Sequence, residues 1–301
     1  MFYRSMLVPN SDGILTLPFG SSPEMSLVTC DHRQWLSSPS TFDLTLIREF
    51  YENFASAASL CADAETEKLC RTVLVQLAEP VICDGVLQEW TQPHTEGEPG
   101  HRHRSPLAAF CPGTYYSKDS NPGMTDAMEC LLEKRLSLGG RMSTAFSYAW
   151  DAQILARLGR GDDAYAMLKR FWQIHALDNG MLTTNDYNGK NGGIAWFSGT
   201  KVVQVEAQIA SAAAISELFY QDMQGLIRLL PALPKDIPDG SLSGIRGRGG
   251  VICDLTWKGG QLESFCMTVS KDGVYRIVIP EPEFLLSDNG TCENGIAFVE
   301  C

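Results

Sequence analysis

The stretch KVVQVEAQIASAAAISELFYQDMQGLIRLLPALP, residues 201–234, separates two kinds of pattern in this 301-residue chain. Val202, Val205, Ile209, Ala212, Ser216 and Phe219 recur at steps of three and four residues, the period of one buried helical face. Small residues crowd positions 210–214, so a second helix can approach closely. Glu206 stands among Val202, Val203, Ile209 and Ala210 at helical spacing. A carboxylate there is either a helix N-terminal group favoured by the dipole or a group aimed into a site. The run then passes into LIRLLPALP, where Pro231 and Pro234 forbid further helix.

Upstream, the period is helical. Ser40 and Asp43 form a capping pair opening a helix whose stripe reads Phe42, Leu46, Phe50, Phe54, Ala57 and Leu60. A second helix spans about residues 64–78, striped by Leu69, Val73 and Leu77. Periodicity lapses over residues 79–123, a segment long enough to be functional or partly helical. Helix returns at about 125–137. Ser143 then caps a helix running to Leu158, with Phe146, Trp150, Ile154 and Leu158 on its buried face and Gly159 as its stop. Asp162 caps another, where Tyr165, Leu168, Trp172 and His175 share a side. The Gly- and Asn-rich residues 178–200 read as a surface loop. Helices in antiparallel pairs with polar motifs in their loops indicate an α/α bundle or toroid. Downstream, SLSGIRGRGG, VICDLTWKGG, QLESFCMTVSKDG and VYRIVIP are short β-rich runs broken by GG and DG turns. The expected organisation is mainly α, with a helical domain at 1–225 and a small antiparallel β domain at 226–301.

Composition narrows the function. A net charge of −12 disfavours nucleic acid or an anionic membrane as partner, because both reward clustered Lys and Arg. No run reaches the roughly 18 apolar residues of a membrane span. The opening MFYRSMLVPNSDG has too short an apolar core for a signal peptide, so the chain as written is expected in the cytosol. The 10 cysteines show no CxxC pair; Cys61 and Cys70 read as small buried hydrophobes, and no metal cluster is implied.

Five segments occur in an order that resembles a known family: GSSPE at 20–24, GVLQEW at 85–90, HRHRSPLAAFCPG at 101–113, STAFSYAWDAQILARLGRGDDAYAML at 143–168 and LLPALPKDIPDGSLSGIRGRGGVICDLTWKGGQL at 229–262. Together they are similar to the C-terminal half of glycoside hydrolase family 95, the inverting α-L-fucosidases and related α-L-galactosidases. The resemblance implies part of an (α/α)6 toroid followed by a small β domain, no cofactor or metal, and a carbohydrate substrate. The family's general acid lies in an SPE motif, matched by Glu24. Its opposing carboxylate lies in a QIDGNFG-like motif, matched by QVEAQIA at 204–210, so Glu206 takes the general-base position with Glu replacing Asp. Arg102 and His103 match an HRH motif that resembles a clamp for sugar hydroxyls; Pro106 stands where that motif's pattern has a His. Trp90 is a sugar platform or a buried anchor for its loop.

The resemblance also implies two asparagines upstream of the SPE motif, which this sequence does not contain. The expected protein is therefore an α-L-fucosidase-like glycosidase that is a fragment or one half of a split enzyme. It would work with an N-terminal half or by self-association. The alternative is a catalytically silent carbohydrate-binding remnant or scaffold.

Overall fold

The computed structural model describes residues 2–29, 32–92, 94–139, 143–190, 201–280, 290–293 and 296–300. These fall into two compact units, one ending at Ser143 and one beginning at Thr144.

The first unit opens with α1 (Phe2–Met6) and an antiparallel pair, β1 (Val8–Pro9) with β2 (Leu15–Thr16). β3 (Leu27–Thr29) is the centre of a three-stranded sheet, flanked by β4 (His32–Gln34) and by a later strand, Thr95–Glu96. α2 (Thr41–Leu60) and α3 (Ala64–Gln76) pack against each other. Ser40 caps α2 by accepting the Asp43 N–H at 3.0 Å, which satisfies one of the helix's orphan donors. β5 (Ile82–Cys83) and β6 (Val86–Leu87) form a hairpin through Asp84 and Gly85. Both turn residues have positive φ, 50° and 77°, as a two-residue type I′ turn requires. The Thr95–Glu96 strand is β7; a 3-10 turn at Ser105–Leu107 and α4 (Pro122–Ser137) complete the unit.

The core here is Leu7, Leu15 and Leu17 packed with Leu44, Ile47, Tyr51, Val73 and Leu77. The stripe of α2 is thus rotated from the sequence expectation. Leu44, Ile47, Tyr51, Ala55 and Ala58 are buried, whereas Phe50, Phe54 and Leu60 are exposed. Two interleaved apolar series run along this helix at helical spacing, and packing selects the one with smaller side chains. Leu69 and Cys61 are likewise exposed, while Cys70 is buried as expected.

In the second unit, α5 (Ala145–Arg157) packs against both α6 (Gly161–His175) and α7 (Val205–Phe219). With neighbours on two sides, α5 is buried nearly all round. Its N-cap is Thr144, one residue after the expected Ser143, and Gly159 ends it with φ 78°. The N-cap of α6 is Arg160, with Asp162 inside the first turn. The face of α7 is also corrected: Ala207, Ser211, Ala214 and Leu218 are buried, and Val202, Val205 and Ile209 are exposed. Small side chains let the α5 and α7 backbones approach, and Gln153 Nε2 donates across to the Ala210 carbonyl at 3.0 Å. An Arg157–Glu217 ion pair at 2.6 Å joins the same two helices.

Strands begin at once after α7. β8 (Tyr220–Met223) and β9 (Leu226–Leu229) form an antiparallel hairpin. β10 (Gly240–Arg246), β11 (Ile252–Lys258) and β12 (Gln261–Thr268) form an antiparallel three-stranded sheet. β13 (Val274–Val278), β14 (Gly290–Glu293) and β15 (Ile296–Glu300) extend the hairpin into a five-stranded sheet of order β14-β15-β13-β9-β8. The β13–β9 pairing is parallel, so the sheets are not wholly antiparallel. Part of the 178–200 loop lies outside the described residues. No helix among the described residues is long and apolar enough to cross a membrane.

Candidate active site

GSSPE is held by its first and last residues. Gly20 pairs with Ser37 through two backbone hydrogen bonds, at 2.9 and 3.0 Å. A Cβ on Gly20 would lie 2.8 Å from the Ser40 backbone nitrogen, so only glycine lets the loop pass over the start of α2. Ser21 N–H donates to Asp43 Oδ2 at 3.2 Å. The chain then turns tightly, with Met25 N–H donating to the Ser22 carbonyl at 2.6 Å. Pro23 and Glu24 form the tip of that turn.

The HRHRS segment meets this tip. Arg102 Nη2 donates to Glu24 Oε2, and Arg102 Nη1 lies 3.1 Å from His101 Nε2. Glu24 Oε2 is also 3.7 Å from His101 Nε2 and 3.9 Å from His103 Nε2. The Glu24 backbone N–H donates to His103 Nδ1 at 3.0 Å, and Ser105 Oγ donates to the Pro23 carbonyl. The two imidazoles meet edge to face, with centroids 4.9 Å apart. The Glu24 side chain remains half exposed, at 53%. Burial, then the nearby Arg102 and His103, holds His101 down to about 4, and burial also lowers His103. Both rings are therefore neutral at pH 7. Arg102 is the one cation of the trio and offers donors only, as suits recognition of hydroxyl or carboxylate oxygens.

Beneath the turn is a buried ionic group that the sequence reading did not single out. Ser22 Oγ donates to Glu89 Oε1, and Arg135 Nη2 donates to Glu89 Oε2 at 2.5 Å. Arg135 Nη1 donates to the Pro99 carbonyl at 3.0 Å, and Nη2 is 3.3 Å from Glu96 Oε2. Burial raises Glu89 above the usual carboxylate range despite Arg135 and Ser22. Signals for this group were present. Glu89 lies directly before Trp90 in a segment that also carries Val86 and Leu87, and Arg135 falls on the buried stripe of α4 with Met128, Leu131 and Leu132.

Trp90 is 1% exposed and packs with Met25 and Leu27, so it offers no ring face to a sugar. Its burial favours the anchor over the platform. Glu206, in the second unit, lies in the first turn of α7, exposed, and its Oε1 accepts from Gln204 Nε2 at 3.1 Å. Gln204 Oε1 in turn accepts the Phe146 N–H at 3.0 Å, fixing this amide between the starts of α5 and α7. Among the described residues no group of three or more His, Cys, Asp or Glu side chains is arranged to hold a metal ion.

A glycosyl hydrolase family 95 catalytic domain matches residues 1–219, and a glycoside hydrolase family 95 C-terminal domain matches residues 221–295. The chain is 29% identical over 294 residues to Alpha-L-fucosidase 2 of Arabidopsis thaliana, a match covering 94% of this chain and 34% of that protein. It is 26% identical over 289 residues to Probable alpha-fucosidase A of Aspergillus niger, covering 88% of this chain and 34% of that protein. The chain thus spans about a third of the length of these relatives. With most of its length matched by both of the family's domains, this chain belongs to glycoside hydrolase family 95.

Proposed function

We propose that the chain forms part of an inverting glycosidase of the α-L-fucosidase type, releasing terminal α-L-fucosyl or α-L-galactosyl residues from glycans. The observation that carries this reading is the convergence of Arg102, His101 and His103 on the carboxyl group of Glu24 from some 78 residues away in sequence. Glu24 acts as general acid. A glycosidic oxygen is too basic to leave without a proton, and a half-exposed carboxyl at the tip of a turn can reach it. Arg102 and His103 hold sugar hydroxyls, through guanidinium N–H groups other than those directed at Glu24 and His101 and through the imidazole Nε2 side. Glu206 takes the general-base position, activating water on the opposite face of the sugar. Inversion requires about 6.5–9.5 Å between the two carboxyl groups.

In this reading, residues 1–225 contribute helices to an (α/α)6 toroid and residues 226–301 form its β companion. The exposed apolar side chains of Val205 and Ile209 on α7, and of Phe50 and Phe54 on α2, support a further segment or a second copy as partner. The test is turnover of an aryl α-L-fucoside by this chain, alone and with the preceding two-thirds of a family 95 enzyme supplied. Release of β-L-fucose, read by proton NMR before mutarotation, is the expected result. Retained anomeric configuration, or no turnover in either format, overturns the proposal.

A further inference from the structure

Glu24 is bracketed by contacts that trace to two adjacent residues of GVLQEW. On one side, Ser22 Oγ donates to the buried carboxylate of Glu89. On the other, Met25 packs on the buried ring of Trp90. The Ser22–Met25 turn, with Glu24 at its tip, therefore stands between two points fixed by residues 89 and 90. Glu89 is itself immobilised by Arg135 at 2.5 Å, and both side chains are at most 2% exposed. A buried ion pair is poor value for stability alone, because desolvation offsets most of its Coulomb gain. A buried carboxylate that spends its second oxygen on a serine two residues before an exposed acid needs a further reason.

We propose that Glu89 is a positioning residue for Glu24, acting through Ser22 to fix the height and orientation of the turn that presents the acid. The inference rests on the assignment of Glu24 as general acid. Ser105, bonded to the Pro23 carbonyl, and His103, bonded to the Glu24 N–H, hold the turn from the substrate-binding segment. Glu89 holds it from the core. With the core attachment cut, the turn remains tethered but loses its fixed depth. Displacement of a reacting group by about 1 Å can cost on the order of a hundredfold in rate.

Two variants separate positioning from folding. Glu89→Gln removes the charge opposite Arg135 and risks the fold; Ser22→Ala cuts only the attachment and leaves the Glu89–Arg135 pair in place. In the Ser22→Ala chain, hydrogen exchange of the Glu24 amide, whose proton is held by His103 Nδ1, is expected to accelerate at least about tenfold while amides of α2 and α4 keep their rates. This readout needs no turnover, so it stands even where the glycosidase reading fails. Where aryl fucosides are turned over, Ser22→Ala is expected to lower kcat by about ten- to a hundredfold for a poor leaving group such as 4-methoxyphenol. For 2,4-dinitrophenol, which leaves without a proton, kcat is expected to change less than about twofold, with KM unaltered for both. An unchanged Glu24 amide in natively folded Ser22→Ala overturns the proposal, as does an equal loss of rate for both leaving groups. Absence of turnover by the parent chain both alone and with the preceding two-thirds supplied, together with an accelerated Glu24 amide, overturns the glycosidase reading and leaves the positioning contact standing.

Discussion

The backbone N–H of Glu24 donates to Nδ1 of His103, 79 residues later in the chain, at 3.0 Å. Because Nδ1 accepts, the neutral imidazole carries its proton on Nε2, the nitrogen that lies 3.9 Å from Glu24 Oε2. One ring thus ties down the main chain of the acid and faces its side chain. Burial keeps that ring neutral, so it orients Glu24 without adding a second positive charge beside Arg102.

Glu24→Gln tests the acid directly. The side chain is half exposed and its amide isostere retains the turn, so the fold should be unaffected. General acid catalysis is worth about a hundred- to ten-thousandfold, and kcat for a 4-methoxyphenyl fucoside should fall by that factor. Unchanged turnover would remove Glu24 from the mechanism.

Arg102→Lys should be far from conservative. The guanidinium reaches Glu24 Oε2 with one nitrogen and His101 Nε2 with the other, and an ammonium cannot span both. The expected result is about a tenfold or greater rise in KM, measured by steady-state kinetics, with a melting temperature within a few degrees of the parent.

The histidines predict a pH dependence of stability. His101 sits near 4 in the folded chain against 6.5 as the free side chain, because burial and its cationic neighbour oppose protonation. The unfolded chain therefore binds the extra proton first. The stability associated with His101 is intact above about pH 6.5 and is lost as pH falls toward about 4. In His101→Asn, the decline of melting temperature over that window should be shallower. It should not vanish, since burial also lowers His175 in the second unit.

Helix positions were readable from sequence; which face each helix buries was less so. α2, α3, α5, α6 and α7 all lie where the period places them, within a few residues. The faces of α2 and α7 were misread for one physical reason. Each carries two apolar series, and the larger side chains draw the eye, whereas close helix packing buries the small ones. The parallel β9–β13 pairing was invisible because nothing local in a strand records its partner. Glu24, Arg102 and His103 were named through a resemblance, and their mutual contacts are geometry that no spacing rule gives. Glu89 and Arg135 are not legible as a pair, because a charged residue passes for a solvated one until its burial is known.

The corrected face of α7 is itself testable. Ala214 is fully buried on the side that shares contacts with α5, while Ile209 is 67% exposed. Ala214→Leu should overpack that side and cost about 1–3 kcal/mol, and Ile209→Gln should cost less than about 0.5 kcal/mol. Chemical denaturation of the two variants distinguishes the faces; the reverse ranking would restore the sequence reading.

Arg135 offers the sharpest stability test. Its side chain is the sole cation within 4.0 Å of Glu89 among the described residues, and neither group reaches solvent. Arg135→Met leaves a carboxylate buried without its partner, at a cost of about 3–5 kcal/mol. Glu89→Gln with Arg135→Met removes both charges and should recover part of that loss, giving a coupling of about 0.5–3 kcal/mol in a double-mutant cycle. The sign with pH follows from burial. Glu89 already lies above the usual carboxylate range, and without Arg135 it moves further up. A carboxyl whose folded value exceeds its unfolded value favours the native state at low pH and loses that advantage as pH rises through the folded value. The Arg135→Met deficit should therefore widen between pH 5 and pH 8, whereas the double variant, with no carboxyl at position 89 to ionise, should show a deficit that does not widen with pH. A deficit independent of pH would mean that Glu89 gains solvent or another donor when Arg135 is lost.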